Sequence, residues 1–192
     1  FDRLVNSAEG AALGTGTKME YEIIGGVYEV LPVDILSRHM HENMSMVGGV
    51  TYSSAEVEFG NKIQQSFIGE RPQLSDASVI KPYKELSEDN RSGGSTDVAD
   101  VSWVVPTVGL RAATWIPGTP SHSWQAVACG GTEIGAKGMM VAAKTLAATA
   151  LDLFKNPALI DAAKAEWAKR KGAEFKYKAL LGDRKPALNY RD

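Results

Sequence analysis

The stretch that decides the fold of this 192-residue chain is Gly93–Gly131, GGSTDVADVSWVVPTVGLRAATWIPGTPSHSWQAVACGG. A polar, glycine-rich loop leads into an apolar segment that we predict as a buried strand, and a second loop follows. Loops at the ends of a buried strand are where α/β proteins place functional side chains on a rigid base. The pattern therefore predicts that Asp97, Asp100 and His122 lie near the two ends of this strand.

Amphipathic helices are predicted on both sides of this stretch, because apolar residues recur at helical spacing. Ser53 or Ser54 is a favourable N-cap for one of them, with Glu56 in its first turn. The predicted helices are 1–17, 33–46, the helix capped at Ser53 or Ser54, 134–154, and a last helix from Pro157 to Lys171. Small residues along 134–154 would let that helix approach a sheet closely.

Residues 18–30 have the pattern of an edge strand with one solvated face. Met19, Tyr21 and Ile23 alternate with glutamates, and a period of two is typical of a half-buried strand. Leu31-Pro32 ends this segment, and we place a domain boundary there. A short strand is also indicated at Ser78–Tyr83. Helices that alternate with strands predict an α/β fold, a mixed sheet with flanking helices.

Composition excludes several classes of function. The formal net charge of −2 argues against a nucleic-acid surface, and no apolar run is long enough to span a membrane. The single cysteine, Cys129, cannot form an internal disulfide and is expected to be a buried structural thiol. With no signal-peptide pattern at the start of the sequence, we expect a cytoplasmic location.

Residues that could carry chemistry are few. His39 and His41 lie two residues apart on a predicted helix, so they point in different directions and are expected at the rim rather than at a shared metal site. His122 has three open interpretations: a metal ligand, a general base, or a loop residue bonded to backbone. Asp97 is equally suited to capping a turn. No nucleophile elbow, phosphate loop or dinucleotide fingerprint is present.

The motifs GSTDVADVSWVVPT and ATWIPGTPSHSWQ, followed by an alanine-rich helix, carry a family resemblance. Together with EGAALGTGT near the start, they resemble the aminobenzoyl-glutamate hydrolase subfamily of the dinuclear-metal aminoacylase and carboxypeptidase amidohydrolases, a zinc peptidase family. The resemblance implies that 1–31 are the last helix and strand of a ferredoxin-like lid and dimerisation domain. Residues 32–192 would then be the C-terminal part of the phosphorylase/hydrolase-like catalytic domain.

The resemblance also implies where the catalytic groups are. Members bind two divalent ions, zinc or manganese, through H-x-D, a further Asp and a Glu-Glu pair whose first Glu is the general base. These motifs precede the lid and are absent here, so no catalytic residue is expected in this chain. The last metal ligand of the family maps onto His122, and Ser95, Thr96, Asp97 and Asp100 map onto a segment that lines the substrate site.

The resemblance implies hydrolysis of an amide bond in a small N-acyl amino acid of the aminobenzoyl-glutamate kind, by a homodimer or a pair of related subunits. The chain alone is expected to bind no metal and to be inactive. The first helix is uncapped and begins at Phe1, so we expect a portion of a longer protein. The alternative is a natural half-protein that serves as a non-catalytic binding or dimerisation partner. In either case we expect exposed apolar surface and self-association.

Overall fold

The computed structural model describes residues 1–85, 94–186 and 188, and within them all regular secondary structure is helical. The α-helices are α1 (Asp2–Thr15), α2 (Asp34–Val47), α3 (Ser54–Gln65), α4 (Val98–Ser102), α5 (Trp124–Gly130), α6 (Glu133–Lys155) and α7 (Pro157–Lys171), with a 3₁₀ turn at Leu74–Ser78. The five longer helices confirm the helices predicted from hydrophobic spacing. The capping box at the start of α3 also confirms the predicted cap, since Ser53 and Glu56 bond each other's backbone amides.

The predicted α/β fold is wrong, because none of the described residues forms a strand. Residues 18–30, predicted as an edge strand, are an irregular segment whose apolar side chains are largely exposed. A strand is stabilised by a ladder of backbone hydrogen bonds to a neighbour. Residues 175–184 lie alongside, since Arg184 pairs with Glu22 and the Tyr28 hydroxyl donates to the carbonyl of Lys178. In the described ranges no backbone hydrogen bonds join the two segments, so no ladder forms although the alternation of residues is typical of a strand.

Side chains of α4 take the place of a neighbouring strand at the end of this segment. The backbone amide of Tyr28 donates to Asp100 Oδ1 (3.2 Å), and that of Leu31 donates to Ser102 Oγ (2.8 Å). Trp103 Nε1 in turn donates to the carbonyl of Glu29 (2.7 Å). These three backbone groups thus bond side chains instead of the backbone of a neighbouring strand.

The central apolar segment and Ser78–Tyr83 also differ from the predicted strands. Thr96 Oγ1 accepts the amide of Val98 (3.3 Å), which starts the short helix α4 where a strand was expected. Pro106, which has no amide proton, follows, and no described residue between α4 and α5 has regular structure. In the predicted strand Ser78–Tyr83, Ser78 is the last residue of the 3₁₀ turn, and residues 79–85 are irregular.

Helix α6 packs against backbone rather than against a sheet. A Cβ atom on Gly138 would lie only 2.7 Å from the carbonyl carbon of Ala113, so only glycine fits where α6 crosses the irregular segment. Gly135 approaches the backbone of Gly130 at the α5–α6 junction in the same way. The small residues of α6 therefore allow the predicted close approach, but to a different partner.

Two apolar clusters form the core. One joins α3, α5 and the start of α6 around the fully buried Ile116, Cys129 and Ile134. The other joins α2 to α7 through Val33, Leu36 and Ala163. Cys129 is thus the buried thiol that the sequence predicted. Helix α1 has no buried residue, so it lies outside both clusters.

Candidate functional site

His122 lies at the end of a constrained loop between the core and α5. Ile116 anchors one side of the loop in the core, and Thr119 Oγ1 donates to its carbonyl (2.7 Å). On the other side Ser123 Oγ donates to the carbonyl of Pro120 (2.6 Å) and accepts the amide of Ala126 (3.2 Å), which caps α5. These bonds fix the backbone on both sides of the imidazole.

The backbone of His122 adopts a conformation that is uncommon for its residue type. Its φ is +57°, the only positive φ of a non-glycine residue in the part of the chain that the structure describes. Such conformations cost free energy and persist where the surroundings impose them, frequently at functional sites. The ring is exposed, and among the described residues neither ring nitrogen has a hydrogen-bond partner. Of the three interpretations of His122, bonding to the loop backbone therefore has no support in the structure, while its nitrogens are accessible to a ligand.

An apolar pocket of about 540 Å³ opens beside this histidine. Its walls include the indoles of Trp115 and Trp124 together with Val127. Trp124 and Val127 are 61% and 78% exposed although both are apolar. They lie three residues apart on α5, whereas Gln125, Ala126 and Cys129 turn the opposite face of that helix to the core.

The four residues predicted to line the substrate site lie in two different environments. Ser95, Thr96 and Asp97 are exposed, and Asp97 is the N-cap of α4 without a side-chain capping bond. Asp100 is half-buried and accepts the amide of Tyr28. Its carboxylate therefore holds the 18–30 segment in place, whereas the side chain of Asp97 is accessible to a ligand.

The structure does not join these residues into one metal centre. In the described ranges no hydrogen bond or ion pair links the 94–100 segment to His122. Nor do three or more His, Cys, Asp or Glu side chains of those ranges converge in a way that could hold a metal ion. A catalytic zinc site takes about three protein ligands, so the described residues do not fit a complete metal site.

A polar network between α2 and α6 was not predicted. His39 Nε2 and Asn43 Nδ2 both contact Asp152 Oδ2 at 2.9 Å, and Asn43, which is buried, also donates to Thr149 Oγ1 (3.2 Å). The hydrogen bond from Asn43, and then that from His39, lowers the pKa of the Asp152 carboxyl. The i, i+4 spacing of His39 and Asn43 is the signal that could have revealed this face of α2.

The two histidines of α2 contact different elements, as their spacing predicted. His41 Nε2 lies 2.8 Å from the carbonyl oxygen of Lys81, and its ring packs edge-on against Tyr83. His39 instead faces α6 through Asp152. Each has a local structural role, and they do not share a site.

Two curated proteins are similar to this chain. It is 33% identical over 183 residues to one of the subunits of p-aminobenzoyl-glutamate hydrolase from Escherichia coli (strain K12), a match that covers 83% of this chain and 38% of that protein. It is 32% identical over 137 residues to Xaa-Arg dipeptidase of Mus musculus, covering 70% of this chain and 27% of that protein. The chain thus spans well under half the length of either relative.

Other comparisons add no further relative. No protein-family model matches the chain, and no solved structure matches it significantly. Among the described residues no helix is long and apolar enough to cross a membrane. The chain is therefore homologous to the p-aminobenzoyl-glutamate hydrolase protein and to Xaa-Arg dipeptidase, and so is related to members of the amidohydrolase and peptidase family.

Proposed function

We propose that this chain is the C-terminal portion of a metal-dependent amidohydrolase that cleaves the amide bond of an N-acyl amino acid, such as aminobenzoyl-glutamate. The observation that carries the proposal is the homology, since 33% identity extends over 83% of the chain. Residues 1–31 would be the end of the lid and dimerisation domain, and 32–192 the end of the catalytic domain. The complete protein would act as a homodimer or with a related subunit.

Within that enzyme His122 is proposed as one ligand of a site for two divalent ions, zinc or manganese. Its accessible ring nitrogens and its imposed positive φ support this role. The other ligands and the general base would come from outside the described residues. The exposed segment Ser95–Asp97 is proposed to contact substrate. Asp100 would stabilise the position of this segment by accepting the backbone amide of Tyr28.

The isolated chain is proposed to be inactive. One imidazole does not hold a catalytic metal ion, because such sites need about three protein ligands. Among the described residues no three or more His, Cys, Asp or Glu side chains are grouped so that they could hold a metal ion.

The experiment that tests the proposal is to sequence the DNA upstream of the codon for Phe1 in its source. An in-frame extension that encodes H-x-D, a further Asp and Glu-Glu supports a metal-dependent amidohydrolase. A stop codon and a local start signal immediately upstream contradict it.

The second candidate is a natural half-protein that serves as a binding or dimerisation partner. One observation favours it: α1 and residues 19–25 enclose an apolar groove of about 380 Å³ lined by Leu4, Val5 and Ile23. Sedimentation of the chain at several concentrations would separate a self-associating protein from a monomer. A monomer at every concentration would count against this candidate.

A further inference from the structure

We propose that the pocket formed by Trp115, Trp124 and Val127 beside His122 binds a planar, uncharged aromatic ring, the acyl group of the substrate. The proposal deepens the proposed function, on which it rests for the identity of the acyl group. We refer to this site as the indole pocket, lined also by Ser121, Ser123 and Ala126.

The backbone that carries each indole is held in place. Trp124 is the first residue of α5, which is fixed by the Ser123 cap. Trp115 precedes the buried Ile116, and its carbonyl accepts the hydroxyl of Tyr52 (3.4 Å). Burial, followed by the nearby Cys129 and Glu56, raises the pKa of Tyr52 to about 12.

Neither indole N–H of this pocket has a hydrogen-bond partner among the described residues. Trp115 and Trp124 are 38% and 61% exposed in one concavity, whereas Trp103 and Trp167 both use their indole N–H groups in bonds to backbone carbonyls. Two aromatic side chains that line one pocket suit a flat ring, because aromatic rings gain from offset or edge-to-face stacking beyond burial alone.

The charge of the lining selects between ligand classes. In the described residues the indole pocket contains no Asp, Glu, Lys or Arg, and the polar side-chain groups of its lining residues are the imidazole, two serine hydroxyls and two indole N–H groups. A carboxylate would find no cationic side chain in this lining with which to pair. A neutral ring is accommodated, with the amide to be cleaved at the His122 end of the pocket.

The four tryptophans provide the test and its internal controls. In a ¹⁵N NMR titration of the 192-residue chain with p-aminobenzoyl-glutamate or p-aminobenzamide, we expect the indole signals of Trp115 and Trp124 to shift. Those of Trp103 and Trp167, bonded to the carbonyls of Glu29 and Ser102, should not. Glutamate alone should shift neither pair.

Variants separate ring stacking from general binding. Trp124→Ala should weaken the affinity for p-aminobenzamide about threefold to tenfold, and Trp124→Phe should recover part of the loss. Because Trp124 is mostly exposed, the thermal midpoint should be unchanged by either substitution. Unchanged affinity in Trp124→Ala would overturn the proposal.

The remaining outcomes are equally decisive. Shifts of Trp115 and Trp124 with arginine but not with p-aminobenzamide would assign the pocket to a guanidinium through cation–π contact and overturn the neutral-ring assignment. The absence of shifts with any probe would overturn it too. The titration needs neither metal nor turnover, so failure of the indole pocket is distinguishable from failure of the proposed hydrolase activity.

Discussion

Ser102 Oγ accepts the backbone amide of Leu31 at 2.8 Å, so α4 and the end of the 18–30 segment are joined inside the protein. The Ser102 side chain is fully buried, and the same oxygen donates to the carbonyl of Ala99. One hydroxyl therefore satisfies two backbone groups that would otherwise be left without partners. The attachment fixes where the segment 18–30 meets the rest of the molecule.

Ser102→Ala is expected to lower the free energy of unfolding by about 1–3 kcal/mol, because a buried amide would lose its acceptor. Urea unfolding followed by circular dichroism measures the change. Ser45→Ala is the matched control, since the exposed Ser45 hydroxyl bonds only its own helix. Equal stability of the two variants would show that the Ser102 bond contributes nothing.

Gly138→Ala is expected to destabilise the protein by about 1–3 kcal/mol, since the added methyl group would overlap the backbone at Ala113. Gly10→Ala is the control, because nothing lies within 4 Å of a Cβ at that helical position. The control should be neutral or stabilising by up to about 1 kcal/mol, as alanine favours helix. Thermal unfolding of both variants measures the difference, and an unaffected Gly138→Ala protein would refute the close approach of α6.

The network around Asp152 predicts a contribution to stability that depends on pH. Its pKa is lowered in the folded protein by Asn43 and His39, so folding favours the ionised form. The resulting stability is present above the ordinary carboxyl pKa of about 3.9 and is lost as the pH falls through the lower folded value. Asp152→Asn should therefore reduce stability more at pH 6 than at pH 2.

Urea midpoints across that range measure the effect. Asp161→Asn, at an exposed position on α7, is the control and should give a curve parallel to that of the unmodified chain. If Asp152→Asn also ran parallel to the unmodified chain, the interpretation of the network would be wrong.

Local pattern was sufficient to predict the helices, and it failed where tertiary contacts decide the structure. The capping box at Ser53 and the start of α7 at Pro157 depend on residues close in sequence. Residues 18–30 have the alternation of a strand, but backbone groups of Tyr28, Glu29 and the following Leu31 bond side chains about 70 positions away in sequence. No periodicity within the segment contains that information.

Only the part of the candidate site that depends on local sequence was predictable, because the rest depends on contacts between distant segments. A lone histidine in a Gly/Pro/Ser loop was recognisable from the sequence, and it lies beside an open pocket, while its role as a ligand stays a prediction. The two indoles of that pocket come from separate segments, on either side of the loop. The role of Asp100 in holding Tyr28 also depends on a long-range contact.

The isolated 192-residue chain should not hydrolyse p-aminobenzoyl-glutamate, with or without added zinc or manganese. The physical reason is that it lacks a set of ligands in the described residues that could hold the ions. A spectrophotometric hydrolase assay checks this. Turnover that disappears in His122→Ala would contradict the claim that catalysis needs residues beyond this chain.

The most direct test of the account is to express the complete reading frame that contains this chain and to measure bound metal and hydrolysis of p-aminobenzoyl-glutamate. The account predicts bound zinc or manganese and activity in the unmodified protein, with a loss of roughly a hundredfold or more in His122→Ala. His41→Ala, which removes a histidine whose ring contacts Lys81 and Tyr83, should retain both properties. Full activity and metal content in His122→Ala would contradict the assignment of His122 as a metal ligand.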